Sequence, residues 1–273
     1  MSPPGGDDLI VLARRVLLDA LEALADHRDA LVLIGAQAIY LHARGTPIAL
    51  PAATKDSDLA IDRRRLSDNP HLEDAMSGAG FKLGKDPGSW LGPMDIPVDL
   101  MIPETMSDPG GRRGGRVPPH SKRATRRASR LEAAMVDHAP AVIESLDSTD
   151  RRSITIEVAG PAALLVAKLH KLGDRDRQAP ERLNDKDAHD VYRLLVAVDT
   201  DDLARTLEML LSDELASRAT RVALDYFTDL FAGGPDAVGS RMAGRAEELL
   251  GDPADVSQSV AALASDLARA TGR

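Results

Sequence analysis

Two carboxylates that directly precede an apolar run constrain this chain more than any other feature. Asp56 and Asp58 are separated by one residue, and the apolar residues 59–61 follow them. Because side chains at positions i and i+2 of a β-strand point to the same face, both carboxylates are expected to project together from one strand. Oxygen ligands held close together on a rigid element suit a hard divalent cation. The pattern therefore predicts a strand over residues 57–61 that carries a site for Mg²⁺ or Mn²⁺.

The segment upstream predicts a place for an anion. Residues 31–34 are all apolar and are typical of a buried strand, and Gly35 and Ala36 separate them from a helix predicted over residues 37–44. A strand that turns through small residues into a helix directs backbone N–H groups at an anion. Gly35, Ala36 and Gln37 are therefore candidate phosphate-binding residues. The alternative is a plain strand-to-helix junction, which also needs a small residue.

A third carboxylate lies in another apolar segment, residues 95–102, which alternates as a strand does. Val98 and Leu100 are expected to face a core, which places Asp99 on the opposite face. Aspartate is disfavoured inside strands, so its presence here calls for a reason. Three carboxylates from two adjacent strands can hold two Mg²⁺ ions about 4 Å apart. Asp99 thus joins Asp56 and Asp58 as a candidate metal ligand, with ordinary solvent-facing acids as the alternative.

The C-terminal part contains a lysine in an unusual place. Lys168 lies within an otherwise apolar helical stretch, where an unpaired lysine is costly, and Lys171 shares its helix face. Asp187 and Asp190 share a face of a later helix. A lysine beside a triphosphate would neutralise charge as pyrophosphate leaves. Lys168 and Asp187 are therefore candidate catalytic residues, and Lys171 and Asp190 candidate nucleotide-binding residues; the alternative is an ion pair between two helices.

A basic segment, residues 110–130, contains no acidic residue although the whole chain has a net charge of −9. A local basic strip in an acidic protein can bind a polyanion. The segment has no aromatic residue, so stacking on unpaired bases is not predicted. The alternative is a solvated loop. The candidate RNA-binding residues are Arg112, Arg113, Arg116, Lys122, Arg123, Arg126 and Arg127.

Composition and periodicity predict two domains. A chain of 273 residues, 43% of them apolar, can form one large core or two modest ones. It has no cysteine, which excludes disulfides and zinc–thiolate sites. With no basic–apolar leader and no apolar run long enough for a bilayer, we expect a soluble cytoplasmic monomer. The expected architecture is an α/β (α+β) domain with a mixed sheet over residues 1–159, followed by an α-helical domain over residues 160–273.

The remaining predicted elements follow from helical and strand spacing. The N-terminal domain is expected to contain helices over residues 8–26 and 70–80, a hairpin over 81–91, a loop over 103–119, and strands over 134–146 and 153–158. In the C-terminal domain the predicted helices span residues 161–173, 185–198, 201–213, 215–233, 236–249 and 254–270.

Taken in order, these motifs resemble those of the AbiEii-like nucleotidyltransferase toxins, which include the MenT-type toxins of toxin–antitoxin systems. The resemblance covers about residues 30 to 195. It rests on Gly35-Ala36, Thr54-x-Asp56-x-Asp58-Leu59, Val98-Asp99-Leu100, Ala167-Lys168-Leu169 and Lys186-Asp187-x-x-Asp190-Val191-Tyr192.

The resemblance implies a DNA-polymerase-β-like core that transfers a nucleotide from a nucleoside triphosphate to RNA, in some members the 3′ end of tRNA, and so blocks translation. Asp56 and Asp58 would be metal ligands, Lys168 and Asp187 (or Asp190) the nucleotide-site lysine and its acidic partner. Lys55 is assigned to the nucleotide site, and a cognate antitoxin is an expected partner. Alternatives are a small-molecule or protein acceptor, or a degenerate binding module, since Ala36 and Ala52 depart from the family's residues.

Overall fold

The apolar runs of the N-terminal half build one mixed β-sheet in the computed structural model, which describes residues 6–46, 55–110, 113–248 and 251–273. Within these ranges eight strands pair in the order β3-β4-β5-β2-β1-β8-β7, and β6 adds to β5. The strands are β1 (Leu31–Ile34), β2 (Ser57–Ile61), β3 (Lys82–Leu83), β4 (Ser89–Leu91), β5 (Pro97–Pro103), β6 (Arg126–Ala128), β7 (His138–Glu144) and β8 (Ser153–Ala159).

Strand β1, whose four residues are all buried, lies in the interior of the sheet next to the central strand β2. It pairs antiparallel with β2 and parallel with β8, and β2 pairs parallel with β5. On the side away from β2, β5 pairs with two strands. Strand β4 pairs with residues 97–99 and β6 with residues 101–103. Parallel and antiparallel neighbours therefore meet around β2 and β5, the two strands that carry the candidate carboxylates.

The chain divides into two compact units, Met1–Gln37 with Ala52–Ala159, and Ala38–Pro51 with Gly160–Arg273. In the first unit, helix α1 (Gly6–Ala23) contacts β2, β5 and β8. Its leucines recur at helical spacing, and Leu17 and Leu21 are fully buried, which fixes the helix to the sheet. The short helix α3 (Leu72–Gly78) also belongs to this unit. Helix α2 (Gly35–His42), which follows β1, has its first three residues in this unit and the rest in the second.

The second unit consists largely of helices, and its described helices after residue 160 are α4 (Pro161–Gln178), α5 (Asp185–Ala197), α6 (Thr200–Ser212), α7 (Ser217–Phe227), α8 (Val238–Arg245) and α9 (Pro253–Ala270). Capping residues explain where three of them begin. Asn184, Asp199 and Asp252 each accept a hydrogen bond from a backbone N–H in the first turn of α5, α6 and α9. None of the helices among the described residues combines the length and apolar character needed to cross a membrane.

The predicted mixed sheet and helical C-terminal region are confirmed, and β1 and β2 have the predicted bounds. Several other boundaries were wrong. A 3-10 turn, Ala25–Ala30, replaces the end of the first predicted helix, and another, Glu132–Met135, delays β7. The predicted helix over residues 215–233 divides into α7 and a π-helical turn, Thr228–Ala232. Strand β6 was not predicted, because its sequence is Arg-Arg-Ala, without β-branched residues.

Candidate active site

Asp58 lies against the turn that joins β1 to α2. Gly35, the first residue of α2, has a φ of +71°, a conformation that residues with a side chain adopt only with strain. A Cβ atom at this position would lie 2.2 Å from Oδ2 of Asp58, which is far too close. Gly35 is therefore required both by the backbone and by the space that the carboxylate occupies. The predicted phosphate turn and the predicted metal ligand lie at one place in the fold.

Asp99 lies beside Asp58. The parallel pairing of β2 with β5 sets Asp58 level with Asp99, and residues that are level in neighbouring strands share a face of the sheet. Val98 and Leu100 are fully buried on the other face, whereas the Asp99 side chain keeps 14% of its surface exposed. The structure thus places two of the three candidate metal ligands next to each other on one face.

Asp56 and Asp62 flank β2 at its two ends. Asp56 is exposed and lies one residue before the strand, beside the exposed Lys55. Asp62 is buried and receives hydrogen bonds from the backbone and side chain of Arg64. Burial alone would raise the pKa of Asp62, but the Arg64 hydrogen bonds outweigh it and the pKa is lowered. Asp62 therefore has its partner within the turn that follows β2, and Asp56 is the acid left to extend the candidate site.

The chemistry of these carboxylates fits a hard divalent cation, although their present arrangement is not a complete site. Among the residues that the structure describes, no three acidic or histidine side chains are grouped so that they could hold a metal ion. Oδ2 of Asp99 lies 2.9 Å from Nη2 of Arg126. Asp58 and Asp99 provide two oxygen ligands on adjacent strands, and Asp56 follows the same alternation. Metal binding by the three residues stays a prediction that requires the side chains to draw together.

The side chain of Gln37 is engaged within the protein. Its amide nitrogen donates to Oγ of Ser57 at 2.7 Å, and its oxygen accepts from Nε of Arg14 at 2.9 Å. Arg14 also donates to the backbone oxygen of Glu144 at 3.0 Å. Both ends of Gln37 are thus used inside the protein, where they hold α1, α2 and β2 together. Any phosphate contact from Gln37 is left to its backbone, and Arg14 is a supporting residue that the sequence interpretation missed.

In the second unit, Lys168 of α4 is paired with both candidate aspartates of α5. Its Nζ donates to Asp187 at 2.8 Å and to Asp190 at 2.7 Å. Arg193, one helical turn after Asp190, donates to the other oxygen of Asp190 at 2.7 Å. Asp190 is completely buried, and Lys168 retains 9% of its surface. The ion pair between helices that the sequence left open is therefore present, and it involves both aspartates rather than one.

Asp187 collects two further cations, so the buried charges form a larger group. Lys171 donates to Oδ1 at 2.8 Å and Arg175 to Oδ2 at 3.0 Å. We call this group the ion cluster; its members are Lys168, Lys171, Arg175, Asp187, Asp190 and Arg193. Arg175 and Arg193 were missed, although Arg193 stands three residues after Asp190, a spacing that brings helical side chains together. Roles for Lys168, Lys171, Asp187 and Asp190 at a nucleotide stay predictions.

Two members of the ion cluster, Lys168 and Asp187, are held in their charged forms. Burial alone would lower the pKa of Lys168, but Asp190 and Asp187 outweigh it and the pKa is raised. Burial would likewise raise the pKa of Asp187, but Lys168 and Lys171 lower it to about 2. At neutral pH Lys168 is therefore a charged hydrogen-bond donor to both aspartates rather than a base.

The basic segment is more ordered and more internally paired than a solvated loop. Arg126 pairs with Asp99, Arg127 with Glu104, and Arg113 with Asp86. Arg123 donates to the backbone oxygens of Gly84 and Lys85, and Arg116 to that of Pro109. Arg112 lies outside the described residues. The RNA-binding role of these residues stays a prediction, and the structure divides them into internally paired and more available groups.

The more available basic residues line one pocket of the first unit. Its volume is about 620 Å³, within the range of small-molecule and cofactor sites. Arg116, Lys122 and Arg123 contribute three cationic side chains, and His120 lies in the wall. None of the described residues that line the pocket is acidic. The pocket therefore favours an anionic ligand.

No protein-family profile matches the chain, and no curated protein matches its sequence. Three solved structures are similar to it at low identity. The antibiotic-resistance factor ANT(2'')-Ia is 12% identical with a TM-score of 0.43, covering 80% of this chain and 97% of that one. An antigenic nucleotidyltransferase-like protein from Paracoccidioides brasiliensis is 17% identical with a TM-score of 0.39, covering 81% and 95%.

The third structure is a nucleotidyltransferase candidate from H. pylori, 13% identical with a TM-score of 0.35, covering 96% of each chain.

Proposed function

We propose that this protein is a nucleotidyltransferase of the AbiEii-like type, which uses Mg²⁺ or Mn²⁺ to transfer a nucleotide from a nucleoside triphosphate. The observation that carries the proposal is the position of Asp58, which lies against the Gly35 turn and level with Asp99 on the next strand. An anion-binding turn beside two carboxylates on one sheet face is the arrangement that metal-assisted phosphoryl transfer requires. The order of motifs along the chain supports the same proposal.

Each residue has a defined task in this reaction. The bound metal would neutralise charge on the triphosphate and favour ionisation of the attacking hydroxyl. Asp58 and Asp99, with Asp56, would hold the metal, and the backbone N–H groups at the start of α2 would orient a phosphate. The acceptor oxygen forms a bond to the α-phosphorus while the bond to the β-phosphate oxygen breaks. The hydroxyl proton passes to a carboxylate or to water, and pyrophosphate leaves.

We further propose that the acceptor is RNA, specifically the 3′ end of tRNA, and that its modification blocks translation and makes the protein a toxin. The pocket lined by Arg116, Lys122 and Arg123 supports an acceptor with a phosphate backbone, because its charged side chains are all cationic. A toxin of this kind needs a cognate antitoxin, which we propose as a partner.

The test is to incubate the purified protein with total RNA, Mg²⁺ and each α-³²P-labelled nucleoside triphosphate in turn, beside Asp58→Asn. We expect one nucleotide to label a tRNA-sized band, and the variant to lose the label while it unfolds at the same temperature. An equal label from the Asp58→Asn protein would contradict the assigned site. No label with any nucleotide or acceptor would favour a degenerate binding module.

A small-molecule or protein acceptor is a second candidate, and the pairing within the basic segment favours it. Arg113, Arg126 and Arg127 are engaged with acidic side chains, so fewer cations are available to RNA than the sequence suggested. Lys122→Ala with Arg116→Ala distinguishes the candidates. If RNA is the acceptor, the double variant should lose labelling and show a weaker dependence on salt. Unchanged labelling would favour the second candidate.

A further inference from the structure

Arg126 is part of the basic segment, but its side chain lies on the face of the sheet that carries Asp58 and Asp99. Strand β6 pairs parallel with β5, setting Arg126 level with Met101, and from there its guanidinium reaches Asp99 at 2.9 Å. The approach is tight, because a Cβ atom at Gly88 would lie 2.3 Å from the backbone nitrogen of Arg126. Arg127, the next residue of β6, pairs with Glu104 instead. One strand thus brings a single arginine to the candidate metal ligands.

We propose that Arg126 exchanges partners during substrate binding: it pairs with Asp99 when no metal is present, and it binds the phosphates of the nucleotide when Asp99 becomes a metal ligand. This inference rests on the proposed function. It assigns to Arg126 a place in nucleotide binding that differs from an RNA contact.

The charges of the site give the reason. Asp58 and Asp99 lie side by side, and like charges this close are unfavourable unless a cation lies among them. Arg126 pairs with Asp99 in the present structure and so offsets part of this repulsion. A divalent ion bound by Asp99 would repel the guanidinium and remove its attraction to the carboxylate. The closest strong anion would then be the metal-bound phosphate chain, whose oxygens match the two-pronged geometry of arginine.

The strength of the present pair allows such an exchange. Arg126 keeps 36% of its side-chain surface exposed and Asp99 keeps 14%, so the pair is partly hydrated. Partly exposed ion pairs contribute little net stability and can be broken without disturbing the fold. The pairs that Asp190 makes with Lys168 and Arg193 in the ion cluster, by contrast, are buried on both sides.

The experiment measures binding, not activity. Mn²⁺ is titrated into the wild-type protein, Arg126→Gln, Arg127→Gln and Asp58→Asn by calorimetry, and tripolyphosphate is then titrated into each Mn²⁺-saturated protein. For Arg126→Gln we expect Mn²⁺ to bind about two- to fivefold more tightly, because the guanidinium that competes with Mn²⁺ for Asp99 is absent. Tripolyphosphate should bind that variant about tenfold more weakly, because a charged hydrogen bond is lost. Arg127→Gln should change neither affinity.

The outcomes separate this inference from the proposed function. If Asp58→Asn loses Mn²⁺ while Arg126→Gln binds both ligands as the wild type does, the exchange is overturned and the metal site stands. If neither the wild type nor Arg126→Gln binds Mn²⁺, both proposals are overturned. Arg126→Lys is the second variant should Arg126→Gln fail to fold. It keeps the charge, so its Mn²⁺ affinity should match the wild type while tripolyphosphate still binds more weakly.

Discussion

The two charged regions of this protein differ in how deeply their carboxylates are buried. In the sheet, Asp58 and Asp99 lie level on neighbouring strands, Asp56 precedes β2, and Arg126 pairs with Asp99, whose side chain is 14% exposed. In the ion cluster, two buried aspartates meet four cations. Both oxygens of Asp187 and both of Asp190 accept hydrogen bonds from them. The same residue type is thus partly exposed in the sheet and buried among cations in the ion cluster.

A partly exposed pair such as Arg126–Asp99 can be broken by a ligand at little structural cost, whereas each carboxylate oxygen of the ion cluster already accepts a hydrogen bond from a cation. Breaking one pair inside the cluster leaves another charge buried without compensation, which is strongly destabilising. Removing Asp99 from the sheet leaves no buried charge without compensation, because its partner Arg126 is 36% exposed and can be hydrated. Mutations in the cluster should therefore act mainly on stability, and mutations in the sheet mainly on ligand binding and catalysis.

The largest effect that tests this contrast is expected for Asp190→Ala. The variant leaves Lys168 and Arg193 buried with fewer partners, and we expect it to lower the free energy of unfolding by about 3–5 kcal/mol. Urea denaturation followed by circular dichroism measures the loss. The control is Asp185→Ala in the same helix, whose partner Arg245 is 53% exposed. Its expected cost is below about 1 kcal/mol. Equal losses for the two variants would remove the distinction between the cluster and a surface pair.

Gly35→Ala should have the next largest effect, and on activity more than on stability. The new Cβ atom would displace the carboxylate of Asp58, and a shift of about 1 Å at a reacting centre can cost about a hundredfold in rate. Gly80→Ala is the matched control, because Gly80 also has a positive φ, +88°, but has open space around it. Each variant should lose about 1–2 kcal/mol of stability from backbone strain. Nucleotide transfer and thermal unfolding are measured on both proteins. Equal activity in the two variants would show that the Gly35–Asp58 contact has no role in transfer.

The sequence predicted those parts of the molecule that depend on local patterns. Strand β2 with Asp58 follows from alternation, and the order of the helices follows from their apolar spacing. The sequence indicated that Asp58 and Asp99 could lie on adjacent strands. It could not establish their pairing, because strand order depends on contacts between distant segments. The partner of Arg126 could not be predicted at all. It depends on β6, whose sequence does not favour a strand and which forms because β5 offers an edge.

The acid stability of the ion cluster gives a third test. Lys168 and Lys171 lower the pKa of Asp187 to about 2 against the effect of burial, whereas in the unfolded chain it is about 4. A lowered carboxyl pKa stabilises the folded state above pH 4, and this contribution is lost as the pH falls from about 4 to about 2. Its size is about 2 kcal/mol. In Asp187→Asn the free energy of unfolding should therefore fall less steeply across this range. Urea titrations at pH 5, 4 and 3 measure the slope, and an unchanged slope would place the acid-sensitive group elsewhere.

The smallest expected effect concerns His120, which gives the sheet unit a pH dependence of its own. Its Nδ1 accepts a hydrogen bond from the backbone nitrogen of Leu72 at 3.2 Å, so the ring is neutral there. Burial, and then the neighbouring His27, lower its pKa. Because the unfolded chain takes up the proton first, stability should decline as the pH falls below about 6.5. His120→Asn keeps an acceptor and does not titrate, so its decline should be shallower.

His189 contributes a similar slope in the second unit. Burial and Arg193 lower its pKa, while Glu247 accepts its hydrogen bond at 2.6 Å. His120→Asn should therefore remove only part of the decline, and His189→Gln another part. Unfolding free energies at pH 7.5, 6.5 and 5.5 for the two single variants and the double variant separate the contributions. Because the two histidines belong to different units, their effects on the slope should add. If His120→Asn leaves the slope unchanged, the neutral ring beside Leu72 is not a source of the pH dependence in the sheet unit.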